Sequence, residues 1–136
     1  LSAFVLDASA LLAYLHDEAG AAEVTDVLAS GATISAANLA EALSKLAERG
    51  ADAGEVAAKL EDEGLLHGLL DVEPLTIEDA IAIADLRPQT RDRGLSLGDR
   101  ACLALGIRLG IPVVTADRAW AELEAVLEVV EVRPVR

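Results

Sequence analysis

The chain predicts an α/β fold: a three-layer α/β/α sandwich around a mainly parallel sheet. Three observations carry that expectation. Short, β-rich apolar runs alternate with stretches of helical periodicity along all 136 residues, the order that βαβ units produce. The strand segments are apolar at successive positions, as strands covered on both faces are. Helix-opening and helix-closing residues fall between the runs, at Ser35, Thr76 and Ser96 for starts and Gly31, Gly50 and Gly110 for stops.

In chain order, residues 3–6 suit a first buried strand ended by Asp7. Residues 9–18 read as a helix with Leu11, Leu12 and Leu15 on one face, and residues 21–28 as a second. Thr33 and Ile34 make a minimal strand. Ser35 then caps a helix to Arg49, whose Leu39, Leu43 and Leu46 form an apolar stripe while Asn38, Glu41 and Lys45 share another face. A helix follows Asp52, and residues 69–72 form a strand limited by Pro74. Thr76 and Asp79 open a helix expected to run to about Leu86, where Pro88 should end or kink it. Ser96 caps a helix over residues 97–109, residues 112–115 are a strand, a short helix runs from Asp117 through Trp120, and residues 126–132 are a last strand. No repeat or linker divides the chain, so a single domain over residues 1–136 is expected.

Composition narrows the function. Hydrophobic residues make up 53% of the chain, too many for disorder, yet no run is long enough to span a membrane. No basic segment precedes an apolar one, so no secretory signal is expected. One cysteine, Cys102, suits a reducing, cytoplasmic setting and a core position. The net charge of −13 argues against a general nucleic-acid binder, but its distribution is uneven. Residues 87–118 hold six arginines against three aspartates, +3, leaving −16 for the remainder. Within that segment, Arg87 to Arg93 is the candidate substrate-contacting stretch, by charge alone. Aromatics are 2% of the chain, which disfavours a single-strand binder that stacks bases.

Four acids stand inside apolar stretches: Asp7 in FVLDASALLAYL, Glu41 in SAANLAEALSKL, Asp99 in LSLGDRACLALG and Asp117 in VVTADRAW. Each has an ordinary explanation. Asp7 and Asp117 can cap helices, Asp99 can close a capping box with Ser96, and Glu41 can pair with Lys45. Together they point elsewhere, because parallel sheets place their sites beyond the carboxyl ends of the strands, where Asp7 and Asp117 lie. Two carboxylates about 4 Å apart repel by roughly 4 kcal/mol at an effective dielectric near 20, so four in one pocket call for a cation. Oxygen-only ligands suit Mg²⁺, with Mn²⁺ as its substitute. Zinc is disfavoured, since His16 and His67 are isolated and Cys102 has no CxxC partner. A metal among acids suits phosphodiester hydrolysis. Ser9 and Thr115 could donate to a phosphate, and Arg100 and Arg118 could meet the nucleic-acid backbone.

On VLDASALLAYL, ISAANLAEALSKL, GLSLGDRACLALG and VVTADRAW, in that order, the chain resembles PIN-domain ribonucleases, specifically VapC-type toxins of bacterial VapBC toxin–antitoxin pairs. The resemblance implies an acid quartet of Asp7, Glu41, Asp99 and Asp117 holding Mg²⁺ or Mn²⁺. It also implies homodimerisation, sequestration by a VapB-type antitoxin, and endonucleolytic cleavage of RNA, often tRNA or rRNA. Two other readings stay open from the residues: an aspartyl phosphotransferase or receiver-like domain using Asp7, and a non-catalytic module whose acidic surface captures a basic partner.

Overall fold

The computed structural model describes residues 2–123 and 132–135. Five parallel strands form one sheet in the order β3-β2-β1-β4-β5: β1 (Phe4–Leu6), β2 (Ala32–Ser35), β3 (Leu70–Glu73), β4 (Val113–Thr115) and β5 (Val132–Pro134). The order reverses between β1 and β4, which pair Val5 with Val113 and Leu6 with Val114. That junction is the switch point where open α/β sheets leave a crevice at the carboxyl ends of their strands.

Helices cover both faces. Neighbouring strand residues divide between them by the two-residue period. Val5 and Val113 pack with Ile83, Leu86, Leu103 and Trp120 on the side of α5 (Ile77–Gln89) and α6 (Leu97–Leu109). Leu6 and Val114 pack with Leu11, Val24, Leu28 and Leu60 on the side of α1 (Ala8–Leu15), α2 (Ala21–Ala29) and α4 (Ala53–Asp62). Helix α3 (Ala36–Glu48) joins the two layers: Ala37 touches the α6 core, whereas Leu39, Ala42 and Leu46 touch the α1 core. Among the described residues no helix is long and apolar enough to cross a membrane.

Most element boundaries agree with the pattern in the sequence to within a residue or two. Three do not. Helix α1 stops at Leu15 rather than 18, because Asp17 takes a left-handed backbone (φ 50°). Helix α5 runs through Pro88 to Gln89; Thr90 holds the final turn, its N–H and hydroxyl both donating to the Leu86 carbonyl, at 3.0 and 2.7 Å. The expected last strand falls largely on residues 126–131, outside the described residues; β5 is described over Val132–Pro134.

The apolar stripe expected on α3 packs on the α1 core through Leu39 and Leu46, but it is not the deepest line of the helix. Its two buried residues are Asn38 and Ala42, while Leu39, Leu43 and Leu46 are half-buried. The reason is packing on two sides: α3 lies between α1 and α6, so its innermost line is neither the leucine stripe nor a solvent face.

Helix α6 is the interior element of its layer, with every residue from Ala101 to Gly106 buried. Leu103→Ala should therefore cost about 2–5 kcal/mol, measured as a lower urea midpoint. A cost below about 1 kcal/mol would mean that α6 is not the packed centre of that layer.

Candidate active site

Asp7 begins the site. It ends β1 and caps α1 in one step, being 4% exposed and extended in backbone. Its Oδ1 accepts from the Ala10 N–H and from the Ser9 hydroxyl, each at 2.8 Å. Its Oδ2 accepts from the Thr115 hydroxyl at 2.5 Å, across the β1–β4 junction. The same hydroxyls reach onward: Ser9 Oγ accepts from the Ala116 N–H at 2.9 Å, and Thr115 Oγ1 from the Asp117 N–H at 3.0 Å. Burial raises the Asp7 carboxyl from 3.8 to about 6; the three hydrogen bonds oppose that rise and the charge of Asp99 adds to it. A carboxylate so enclosed, with both oxygens engaged, is poorly placed as an attacking nucleophile, which disfavours the phosphotransferase reading.

Asp99 stands in the first turn of α6. It closes a capping box with Ser96, accepting from the Ser96 N–H at 2.9 Å while its own N–H donates to Ser96 Oγ at 3.1 Å. The capping uses one carboxylate oxygen and leaves the other for the pocket. Glu41, half-buried on α3, faces this turn. Its carboxyl is raised by burial first and by Asp99 second, with Lys45 opposing. No ion pair joins Glu41 to Lys45. The ordinary explanation for a glutamate at that spacing is thus not realised.

Cys102 marks the floor. It is wholly buried, and its thiol is raised well above its ordinary value by burial and then by Asp7, Asp99 and Glu41 together. Three carboxylates therefore share one neighbourhood. Asp117, exposed, caps the short 3₁₀ turn Arg118–Glu122 through the Ala119 N–H at 3.0 Å. It shares with Asp99 the wall of a cavity of about 260 Å³, lined also by Arg93, Leu95 and Trp120. The acids form an open cluster rather than a closed chelate: among the described residues, no three His, Cys, Asp or Glu side chains stand close enough to hold a metal ion as placed. That corrects the expectation of four acids gathered as tightly as ligands.

Two residues missed in the sequence shape this cluster. Asn38, 1% exposed, donates from Nδ2 to the Gly98 carbonyl at 2.8 Å and so ties α3 to the first turn of α6. Gly98 has no side chain because the Glu41 carboxylate occupies the place a Cβ would take. The signal was present: a glycine beside Asp99 in a helix, and an asparagine three residues before Glu41, are both poor helix formers inside helices.

The arginines are placed differently from the charge count. Arg100 turns away from the pocket and donates to the Ile83 carbonyl at 2.9 Å. Arg108 binds buried Asp79 (2.9 and 3.4 Å) and lies 3.7 Å from Glu73. Burial pushes the Asp79 carboxyl up, but the Thr76 and Arg108 hydrogen bonds outweigh it and hold Asp79 below its ordinary value. Arg87 ends α5, and Arg91–Arg93 is a 3₁₀ turn in which Arg93 pairs with Glu122 at 2.6 Å on the cavity rim. Arg118 is exposed on the turn after Asp117.

A sequence profile of the PIN domain matches residues 4–126. The chain belongs to the PIN-domain family. No curated protein sequence matches the PIN chain significantly. Solved structures do. A toxin–antitoxin complex from Klebsiella pneumoniae superposes with a TM-score of 0.71 at 14% identity, covering 97% of each chain. FitAcB from Neisseria gonorrhoeae gives 0.71 at 18% identity, again over 97% of each. DNA-bound VapBC from Salmonella typhimurium gives 0.70 at 19%, over 100% of each. At these identities the likeness is one of fold.

The raised Asp7 carboxyl makes stability depend on pH. In metal-free buffer its contribution is fully present below about pH 3.8 and is lost as the pH rises through about 6, because the folded state holds the proton longer than the unfolded one. Asp7→Asn should thus gain on wild type by about 2 kcal/mol between pH 4 and pH 7 in urea unfolding. Parallel pH profiles for the two proteins would contradict it.

Proposed function

We propose that this PIN domain, spanning residues 1–136, is a VapC-type toxin: a metal-dependent endoribonuclease that hydrolyses RNA phosphodiester bonds in the cytoplasm. One observation carries the reading. Asp7, Glu41 and Asp99 converge on one buried thiol at the carboxyl edge of the sheet; burial and then the charge of Asp99 hold the Asp7 and Glu41 carboxyls above their ordinary values, and among the described residues Glu41 is in no ion pair. Nothing in the fold requires that repulsion, and a divalent cation relieves it.

The donors fit Mg²⁺ or Mn²⁺ in kind. They are hard oxygens, and the one soft atom nearby, Cys102 Sγ, is sealed in the core with its proton. Their open spacing fits a small cation that keeps several waters between itself and some carboxylates. Asp7, Glu41 and Asp99 would hold the ion, directly or through water, and Asp117 would complete the set from the far wall. The cation would neutralise the scissile phosphate and acidify an attacking water. The chain itself supplies orientation. Ser9 and Thr115 fix the Asp7 carboxylate, and Asn38 and Gly98 set the α3–α6 seam on which Glu41 faces Asp99. No step uses the ribose 2′-hydroxyl, so products carry 5′-phosphate and 3′-hydroxyl ends.

The similar structures from Klebsiella pneumoniae and Salmonella typhimurium are a toxin–antitoxin complex and a VapBC complex, which supports a VapB-type antitoxin as partner. The most acid-rich part of the surface would attract a basic antitoxin segment. Exposed Leu75 and Leu97 line an apolar cleft of about 530 Å³ between α3, α5 and the start of α6, and Ile77 and Ile81 are exposed on α5. They suit the protein contacts of a homodimer or antitoxin complex.

The direct test is incubation of the purified chain with tRNA and rRNA, with Mg²⁺, Mn²⁺ or EDTA, followed by end-group analysis. Cleavage should need the metal, and Asp99→Asn should abolish it without lowering the stability of the metal-free fold. Cyclic 2′,3′-phosphate ends, or cleavage in EDTA, would refute the mechanism; metal-independent binding of a basic protein with no cleavage would favour the non-catalytic module. Gly98→Ala offers a separate check. Replacing a helix glycine should stabilise by up to about 1 kcal/mol, yet the new methyl group must displace the Glu41 carboxylate and cost up to about a hundredfold in kcat. Unchanged kcat would remove Glu41 from the site.

A further inference from the structure

Residues 1–86 contain three lysines or arginines, Lys45, Arg49 and Lys59, against seventeen aspartates and glutamates. In so acidic a segment a cation normally finds a carboxylate, and Lys59 does, with Glu63 at 3.9 Å. Lys45 and Arg49 do not: neither is in an ion pair with a described residue. Instead both line one cavity of about 200 Å³, together with Ser9, Leu12, His16 and Glu18. Two of the three cations of an acidic segment are thus gathered at one place, outside any ion pair with a described residue. The cavity's single acid, Glu18, lies 3.7 Å from His16.

The position is as informative as the charge. Glu41 and Lys45 of α3 and its C-cap residue Arg49 are spaced four apart, at a rise of about 6 Å for each four residues of helix. The line starts at the acid cluster and leads away from it. Ser9 belongs to both places, since it lines the cavity and donates to Asp7. On the far side of the acid cluster, Arg100 and Arg108 of α6 are engaged by the Ile83 carbonyl and Asp79, and Arg93 by Glu122.

We propose that Lys45 and Arg49, with His16 at the rim, form a track for the RNA backbone that runs over Ser9 into the acid pocket. The track rests on the nuclease reading for its direction and adds to it a substrate surface distinct from the Arg87–Arg93 stretch expected from charge alone. Two cations four residues apart on a helix meet consecutive phosphates of a single strand. They would set the strand's polarity and offset the repulsion that a net charge of −13 imposes on a polyanion.

The test separates the track from the chemistry. Binding of a fluorescein-labelled single-stranded RNA of mixed sequence is measured by anisotropy across a salt series, in Mg²⁺, on the non-cleaving Asp99→Asn chain. Adding Lys45→Gln and Arg49→Gln should flatten the slope of log Kd against log salt by about 1 to 1.5, the loss of two single-strand phosphate contacts. Lys45→Arg should keep the slope, and Lys59→Gln, outside the track, should leave it unchanged. In the otherwise wild-type chain the double substitution should raise KM about tenfold or more while kcat stays within about twofold. An unchanged slope overturns the track, as does an equal effect of Lys59→Gln, which would reveal bulk charge. Weakened binding of an acidic protein partner with RNA affinity intact would overturn it too, assigning the groove to that partner. A wild-type chain that cleaves no RNA defeats the nuclease reading by itself, and the binding slope still decides the track.

Discussion

The Asp7 carboxylate is the interaction on which the rest of the site depends. It is buried at the one place where the sheet reverses its order, and it is held by a helix N-terminus, a hydroxyl from that helix and a hydroxyl from β4. These bonds close the gap between β1 and β4, so the same atoms that satisfy a buried charge also fix where the following loops begin. Asp117 receives its position this way, through the Thr115 hydroxyl that its own N–H reaches. The hydrogen bonds do not fully offset the desolvation, which is why the carboxyl keeps a proton affinity well above that of a surface aspartate.

Capping and site-building are not competing roles here. Asp7, Asp99 and Asp117 each accept a backbone N–H at the start of a helix, as aspartates in ordinary proteins do. The capping bond orients the carboxylate, and helix starts in a parallel α/β sheet all open toward the same edge. A fold of this kind therefore delivers oriented acids to one crevice using only local rules. Glu41 differs: it lies within a helix and caps nothing. Its place is set by Asn38 and Gly98, which bring α3 and α6 close enough for their acids to feel each other.

The distribution of positive charge follows from packing more than from sequence position. From the two ends of α6, Arg100 and Arg108 reach across to α5, where they meet the Ile83 carbonyl and Asp79. They tie α5 to α6, and their donors are engaged there although Arg108 stays partly exposed. Lys45 and Arg49 stand past the buried stretch of α3, where no helix covers them, and remain available.

The sequence by itself determined the layered α/β architecture, nearly every helix start and the identity of the four acids. These are local properties: apolar period, capping chemistry and the cost of a carboxylate in an apolar run. It also carried the family, through motifs spread over the length of the chain. Only the tertiary structure decided how far the acids converge, that Asp99 outweighs Lys45 at Glu41, and that two arginines of a basic-looking segment are engaged by α5. Each of those outcomes turns on the distance between residues far apart in the chain, and α3, packed on two sides, has no single face that its sequence periodicity could reveal.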